Sequence, residues 1–204
     1  MSVPGTSVPV LQKNAPYVRS AGPADHAAIR QVVIGAYRQY EGLIARDIFS
    51  HYLADLLDLE RHASHGRLLV VEAAERVHGF AAFYPDATVQ GVGWPPGWAS
   101  GRALAVHPAA RGLGVARMLL ATCERLAQES GTPVFAFHTA SFMTSAIALY
   151  GRLGYRRAPE FDFDMAARFG GPRAEPIRSI AYLRQLTAGR TSTTISHLTP
   201  WRIR

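Results

Sequence analysis

A chain of 204 residues, 48% of them hydrophobic, is long enough to bury a full core as one domain, and no apolar run in it reaches bilayer-spanning length. The net charge of +7 does not mark a nucleic-acid surface, because residues 1–164 carry 15 basic against 14 acidic side chains while residues 165–204 carry seven arginines against Glu175 alone. One cysteine, Cys123, excludes an internal disulfide, and the start Met1-Ser2-Val3-Pro4-Gly5 has neither a basic nor an apolar stretch, so a cytoplasmic protein without membrane or nucleic-acid partners is expected.

Residues 1–16 hold three prolines and no periodic pattern, and read as an N-terminal arm; 188–204, rich in Thr, Ser and Arg, read as a flexible basic tail. The domain between them is expected over 17–187. Residues 17–19 suggest a short strand, after which Pro23 and Asp25 open a helix with Ile29, Val32, Val33 and Ala36 at helical spacing. A second helix is expected near 45–61. Residues 67–73 and 77–84 are β-rich and joined by the polar turn Ala74-Glu75-Arg76, which predicts a hairpin. The stiff Trp94-Pro95-Pro96-Gly97-Trp98 loop then leads to a strand over 102–106, stopped by Pro108, which cannot donate to a ladder.

Beyond that strand, Val115, Met118, Leu119, Thr122 and Leu126 share one face of a helix that ends at Ser130-Gly131. Residues 134–139 form the next strand, and a strand–helix–strand crossover places it parallel to 102–106. Ser141 or Thr144 caps a helix running to Leu153, with Gly154 as its stop. Residues 155–165 and 177–186 read as the last strands, separated by Gly170-Gly171-Pro172.

The turn between the strand at 102–106 and the following helix carries the chemistry. Its backbone N–H groups can face an anion, Gly112 and Gly114 let a pyrophosphate approach the main chain, and Arg111 and Arg117 add fixed positive charge. A dinucleotide turn is excluded, because Arg117 occupies the third-glycine position and no acid follows the strand at 134–139. A Walker loop is excluded by the missing Gly-Lys-Ser/Thr.

Two segments resemble the signatures of the GNAT superfamily of N-acetyltransferases. Arg111-Gly112-Leu113-Gly114-Val115-Ala116, preceded by Val106-His107-Pro108, is similar to its acetyl-CoA motif, and Ala146-Ile147-Ala148-Leu149-Tyr150-Gly151-Arg152-Leu153-Gly154-Tyr155 is similar to its second motif. The resemblance implies a single-domain α/β fold: a mixed central sheet of about six to seven strands, flanked by about four helices, with a V-shaped cofactor opening between two parallel strands. It implies acetyl-CoA as cofactor, with the turn from Arg111 through Arg117 on the pyrophosphate and Leu104, Ala105 and Val106 along the pantetheine arm, where a backbone N–H polarises the thioester. It implies Tyr150 as the catalytic group beside the departing thiolate, and it departs from the family at Met143, where an asparagine is usual. A homodimer is the family's common habit.

The acceptor side is less marked. Glu41 stands where such enzymes line the acceptor site; Trp94 and Trp98 either roof that pocket or cap the core. Glu160, Asp162 and Asp164 alternate with Phe161 and Phe163, so a strand there sets three acids on one face, either to attract a cationic amine or simply in solvent. His138 and Thr139 end a parallel strand and either touch cofactor or acceptor or serve the core. Glu72 is a base or an outward-facing residue, His107 fills a variable position, His62 and His65 lack a third ligand for a metal, and Cys123 is a buried thiol. The expected function is acetyl transfer from acetyl-CoA to a primary amine, of a small molecule or a peptide, by direct attack in a ternary complex. The competing expectation is a non-catalytic acyl-CoA-binding or regulatory module whose basic tail docks to a partner.

Overall fold

The computed structural model describes residues 15–169 and 177–187. The arm over 1–14, the Gly170-Gly171-Pro172 turn and the basic tail lie outside these residues. Eight strands form one sheet: β1 (Tyr17–Ser20), β2 (Arg67–Ala73), β3 (Arg76–Tyr84), β4 (Ala99–Val106), β5 (Val134–Ala140), β6 (Arg156–Arg157), β7 (Phe163–Asp164) and β8 (Arg178–Gln185). Their order is β1-β2-β3-β4-β5-β8-β6, with β7 also on β8, and every pairing is antiparallel except β4 with β5. Six α-helices accompany them: α1 (His26–Tyr37), α2 (Arg46–Leu56), α3 (Leu59–His65), α4 (Val115–Glu129), α5 (Thr144–Arg152) and α6 (Met165–Phe169).

The apolar runs of the central strands are continuous because both faces of the sheet are covered. Leu68, Val70, Phe80 and Ala82 point to one core with Ile29, Val33 and Tyr37 of α1, Leu56 of α2 and Leu59 of α3. Leu69, Val71, Ala81 and Phe83, one residue out of phase, point to the other, beneath Val115, Leu119 and Leu126 of α4 and Tyr150 of α5. Helix α4 approaches closely because residue 79 is glycine, where a Cβ would lie 2.4 Å from Val115 Cγ1.

Three expectations about elements are corrected. The helix expected near 45–61 is two helices, because Asp58 turns from helix interior to cap, its carboxylate accepting from the Arg61 N–H at 3.1 Å. Strand β4 begins at Ala99, three residues earlier than expected. The strand expected over 155–165 is interrupted after Arg157: Pro159 opens a 3-10 turn over Pro159–Phe161, and only Phe163–Asp164 returns to the sheet. Asp162 therefore faces inward, accepting from Arg157 at 2.7 and 3.0 Å and from the Ala181 N–H at 2.8 Å. Glu160 stays exposed and Asp164 accepts from the Ala166 N–H, so the three acids do not share a face.

Candidate active site

The site begins where two strands part. β4 and β5 pair only over Ala99–Phe135, Ser100–Ala136 and Gly101–Phe137. Beyond Gly101, β4 stays on β3 as far as Val106, while β5 stays on β8 as far as Ala140, so the inner edges of both strands separate. The divergence is built into β4: Phe80 and Ala82 of β3, two positions apart, pair with Ala105 and Arg102 of β4, three positions apart, and Ala103 takes a left-handed φ of 56° inside this bulge. A cavity of about 780 Å³ fills the opening.

At the wide end lies the glycine turn. His107 Nδ1 accepts from the Ala109 N–H, a 3-10 turn over Pro108–Ala110 follows, and Gly112 and Gly114 adopt φ of 81° and 80° before α4 starts. Gly114 is the cap residue of α4 and has no side chain to occupy the first-turn N–H groups, which remain available to an anion at the positive end of the helix dipole. Arg111, Arg117 and Arg152 line the same cavity, and Arg111 Nη2 donates to the Ala36 carbonyl at 3.4 Å.

Leu104, Val106, Gly112, Gly114, Val115, Ala116 and His138 line the cavity with these arginines. Ala105 instead packs into the α1 core and Leu113 is 68% exposed. Tyr150 lines the cavity and is buried against Phe137 (4.5 Å between ring centroids) and Tyr182 (5.5 Å). Burial pushes its pKa well above the usual phenol value. Met143 also lines the cavity, and its sulfur accepts from the Thr139 hydroxyl at 3.4 Å.

At the vertex of the V, the structure adds groups that no local pattern marked. Tyr37, Tyr40, Tyr52, Phe163, Met165 and Phe169 line the cavity, with the Tyr52 ring 5.8 Å from Tyr37 and 5.7 Å from Phe169 between centroids. The Tyr37 hydroxyl donates to the Leu104 carbonyl at 3.4 Å, tying α1 to the bulged strand. Arg102 reaches into this end from β4, paired with Asp55 of α2, and Arg168 of α6 lines the same cavity. A charged residue inside an otherwise apolar strand was the one sequence signal available for Arg102.

The acceptor residues expected from sequence lie elsewhere. Glu41 is exposed outside the cavity, and Asp162 and Glu160 do not line it. Trp94 is buried, 4.3 Å from His138 and 5.2 Å from Phe161 between ring centroids, and Trp98 joins the same cluster, so both cap the core beside β5 and β8. His138 donates from Nε2 to the Phe161 carbonyl at 2.8 Å, which leaves Nδ1 as its acceptor nitrogen. Burial pushes its pKa down to about 4, so the ring is neutral. Glu72 is held outward by Arg19 and Tyr17, and His62 is buried against the Tyr84 hydroxyl. Cys123 is a buried thiol of α4.

A family model described as Acetyltransferase (GNAT) family matches residues 32–155, which include both strands of the V, the glycine turn and Tyr150. The chain belongs to the GNAT acetyltransferase family. Solved GNAT structures share its fold: one from Desulfovibrio desulfuricans, assigned to this family, has 18% identity and a TM-score of 0.62, covering 85% of this chain and 100% of its own. The yncA protein of Salmonella typhimurium, solved with its cofactor acetyl-CoA, has 21% identity and a TM-score of 0.57 over 87% of this chain and 97% of its own. The paia N-acetyltransferase of Thermoplasma acidophilum, solved with coenzyme A, has 12% identity and a TM-score of 0.63 over 84% of this chain and 99% of its own. No curated protein matches the chain. Within this GNAT acetyltransferase the mixed sheet, the parallel pair and the opening between its strands agree with the sequence expectation, with eight strands and six α-helices among the described residues.

Proposed function

We propose that this chain is an acetyl-CoA-dependent N-acetyltransferase that passes the acetyl group directly to a primary amine in a ternary complex. The observation that carries this reading is the single cavity at the β4–β5 split, which gathers the glycine turn, the free inner edge of β4 and Tyr150. The turn from Arg111 to Arg117 holds the pyrophosphate, and the edge from Leu104 to Val106 offers main-chain groups to the pantetheine arm.

In the reaction the amine nitrogen attacks the thioester carbon and forms the C–N bond, the C–S bond breaks with its electron pair leaving on sulfur, and the surplus proton on nitrogen passes to solvent water. Tyr150 donates a hydrogen bond to that developing thiolate. A thiol near ~8.5 and an ordinary phenol near ~10 already make complete proton transfer uphill by about 2 kcal/mol. Burial raises Tyr150 further, so it stays protonated and acts as a donor, which is the stronger contribution toward an anion.

The test is a thermal shift. Acetyl-CoA at a hundred times its Kd stabilises by about 2.7 kcal/mol, which raises the melting temperature by roughly 5–10 °C. Gly114→Asp, which aims a carboxylate at the pyrophosphate, abolishes that shift; Gly114→Asn, whose amide also occupies the first-turn N–H groups but carries no charge, reduces it less. An undiminished shift in Gly114→Asp contradicts the assignment of the turn.

A further inference from the structure

We infer that the acceptor carries a carboxylate beside its amine and that Arg168 is the residue that receives it. This inference rests on the acetyltransferase reading above and names the substrate class of the same cavity. Among the described residues five arginines line the cavity and no aspartate or glutamate does. Three of the five are Arg111 and Arg117, which flank the glycine turn, and Arg152 in the last turn of α5. The other two stand at the vertex, where an acceptor must enter to meet the thioester.

Those two differ in how their charge is met. Arg102 bonds Asp55, which also accepts from Arg61 at 2.6 Å, and Arg61 bonds Asp58, so two arginines and two aspartates balance. The cationic member of that group faces the cavity and its acids lie behind it, and the buried Nε–H of Arg102 has no acceptor. Arg168 has no carboxylate partner among the described residues. Its Nη atoms donate to the Gln90 carbonyl at 3.2 Å and the Gly91 carbonyl at 3.4 Å, neutral dipoles that orient the guanidinium without neutralising it. Phe163 and Phe169 each lie 6.0 Å from it, ring centroid to guanidinium carbon.

Arg168 stays exposed to solvent, and its partial desolvation together with repulsion by Arg102 lowers its pKa from the ordinary arginine value. An amine bearing only positive charge enters against this field; a carboxylate completes it and is matched by the planar donor fork of arginine. The aromatic walls of Tyr37, Tyr52 and Phe169 then enclose the remainder of the molecule.

The test compares each amino acid with its own carboxamide, reading coenzyme A thiol release. The carboxylate member of the reactive pair should be favoured at least tenfold in kcat/KM. Arg168→Gln should shrink that preference tenfold or more, while Arg168→Lys retains part of it; the acetyl-CoA thermal shift certifies that both variants are folded. Amides or simple alkylamines reacting as well as the acids, or a preference untouched in Arg168→Gln, overturns the inference and leaves the acetyltransferase reading standing. Calorimetric binding of N-acetyl amino acids and their amides, with coenzyme A present, separates the other failure: an Arg168-dependent preference for the acid without any transfer supports the anion site and overturns the reading of the chain as an N-acetyltransferase.

Discussion

Tyr150 shows how far a single residue's environment decides its chemistry. Its position was legible because the Leu149-Tyr150 and Leu153-Gly154 spacing marks a short helix with a glycine stop; its protonation was not, because that depends on Phe137 and Tyr182, which arrive from other strands. Tyr150→Phe should keep the ring packing while deleting the hydroxyl proposed to hydrogen-bond the thiolate. The expected result is a fall in kcat of roughly tenfold to a hundredfold with less than a twofold change in acetyl-CoA affinity. Equal losses in both quantities would assign Tyr150 to packing. Arg102 illustrates the opposite limit: its partner Asp55 is 47 positions away, and no local pattern says which of the chain's acids will meet a buried guanidinium.

Elements that are periodic and punctuated were legible. The glycine turn, α4 and the β2–β3 hairpin each combine an apolar rhythm with a residue that stops it. Elements whose rhythm continues past a capping side chain were not: Asp58 sits within a helical pattern yet ends one helix and starts another, and the alternation over 155–165 runs straight through Pro159. The hairpin carries its own irregularity. Its two connecting residues, Ala74 and Glu75, have φ of 48° and 59°, the double left-handed geometry of a two-residue turn that Asn-Gly fits best. Ala74→Asn with Glu75→Gly should therefore stabilise the protein by about 1 kcal/mol. That corresponds to a rise of roughly 2–4 °C in melting temperature, and no rise would show the turn to be unstrained.

At the scale of the whole molecule, the sheet decides both where the site lies and how the protein tolerates acid. One parallel pairing, flanked by antiparallel neighbours that hold β4 and β5 apart, creates the opening; the strand order was not readable from the sequence beyond the single crossover that predicted it. The two covered faces also bury His62 and half-bury His138, whose pKa values are pushed down to about 4 from 6.5. The unfolded chain takes up protons that these folded rings refuse, so stability is complete above about pH 6.5 and declines as pH falls toward 4. For His62, fully buried, the loss is on the order of 3 kcal/mol. Denaturant titrations between pH 7 and 4 should show that slope, and His62→Gln should flatten it; a slope unchanged in that variant assigns acid sensitivity to other groups. Carboxylates such as Asp25, lowered to about 2 by its hydrogen bonds with Arg19, contribute only at lower pH.

The central claim is that one cavity at the β4–β5 split binds acetyl-CoA and transfers its acetyl group to an amine. Mixing the full chain with acetyl-CoA and a panel of amines, and following free thiol together with the mass of the amine, tests it most directly. The account predicts thiol release matched one for one by an amine 42 Da heavier, roughly the mass of an added acetyl group, and dependent on Tyr150. Acetyl-CoA bound in the cavity with no thiol released by any amine would contradict it.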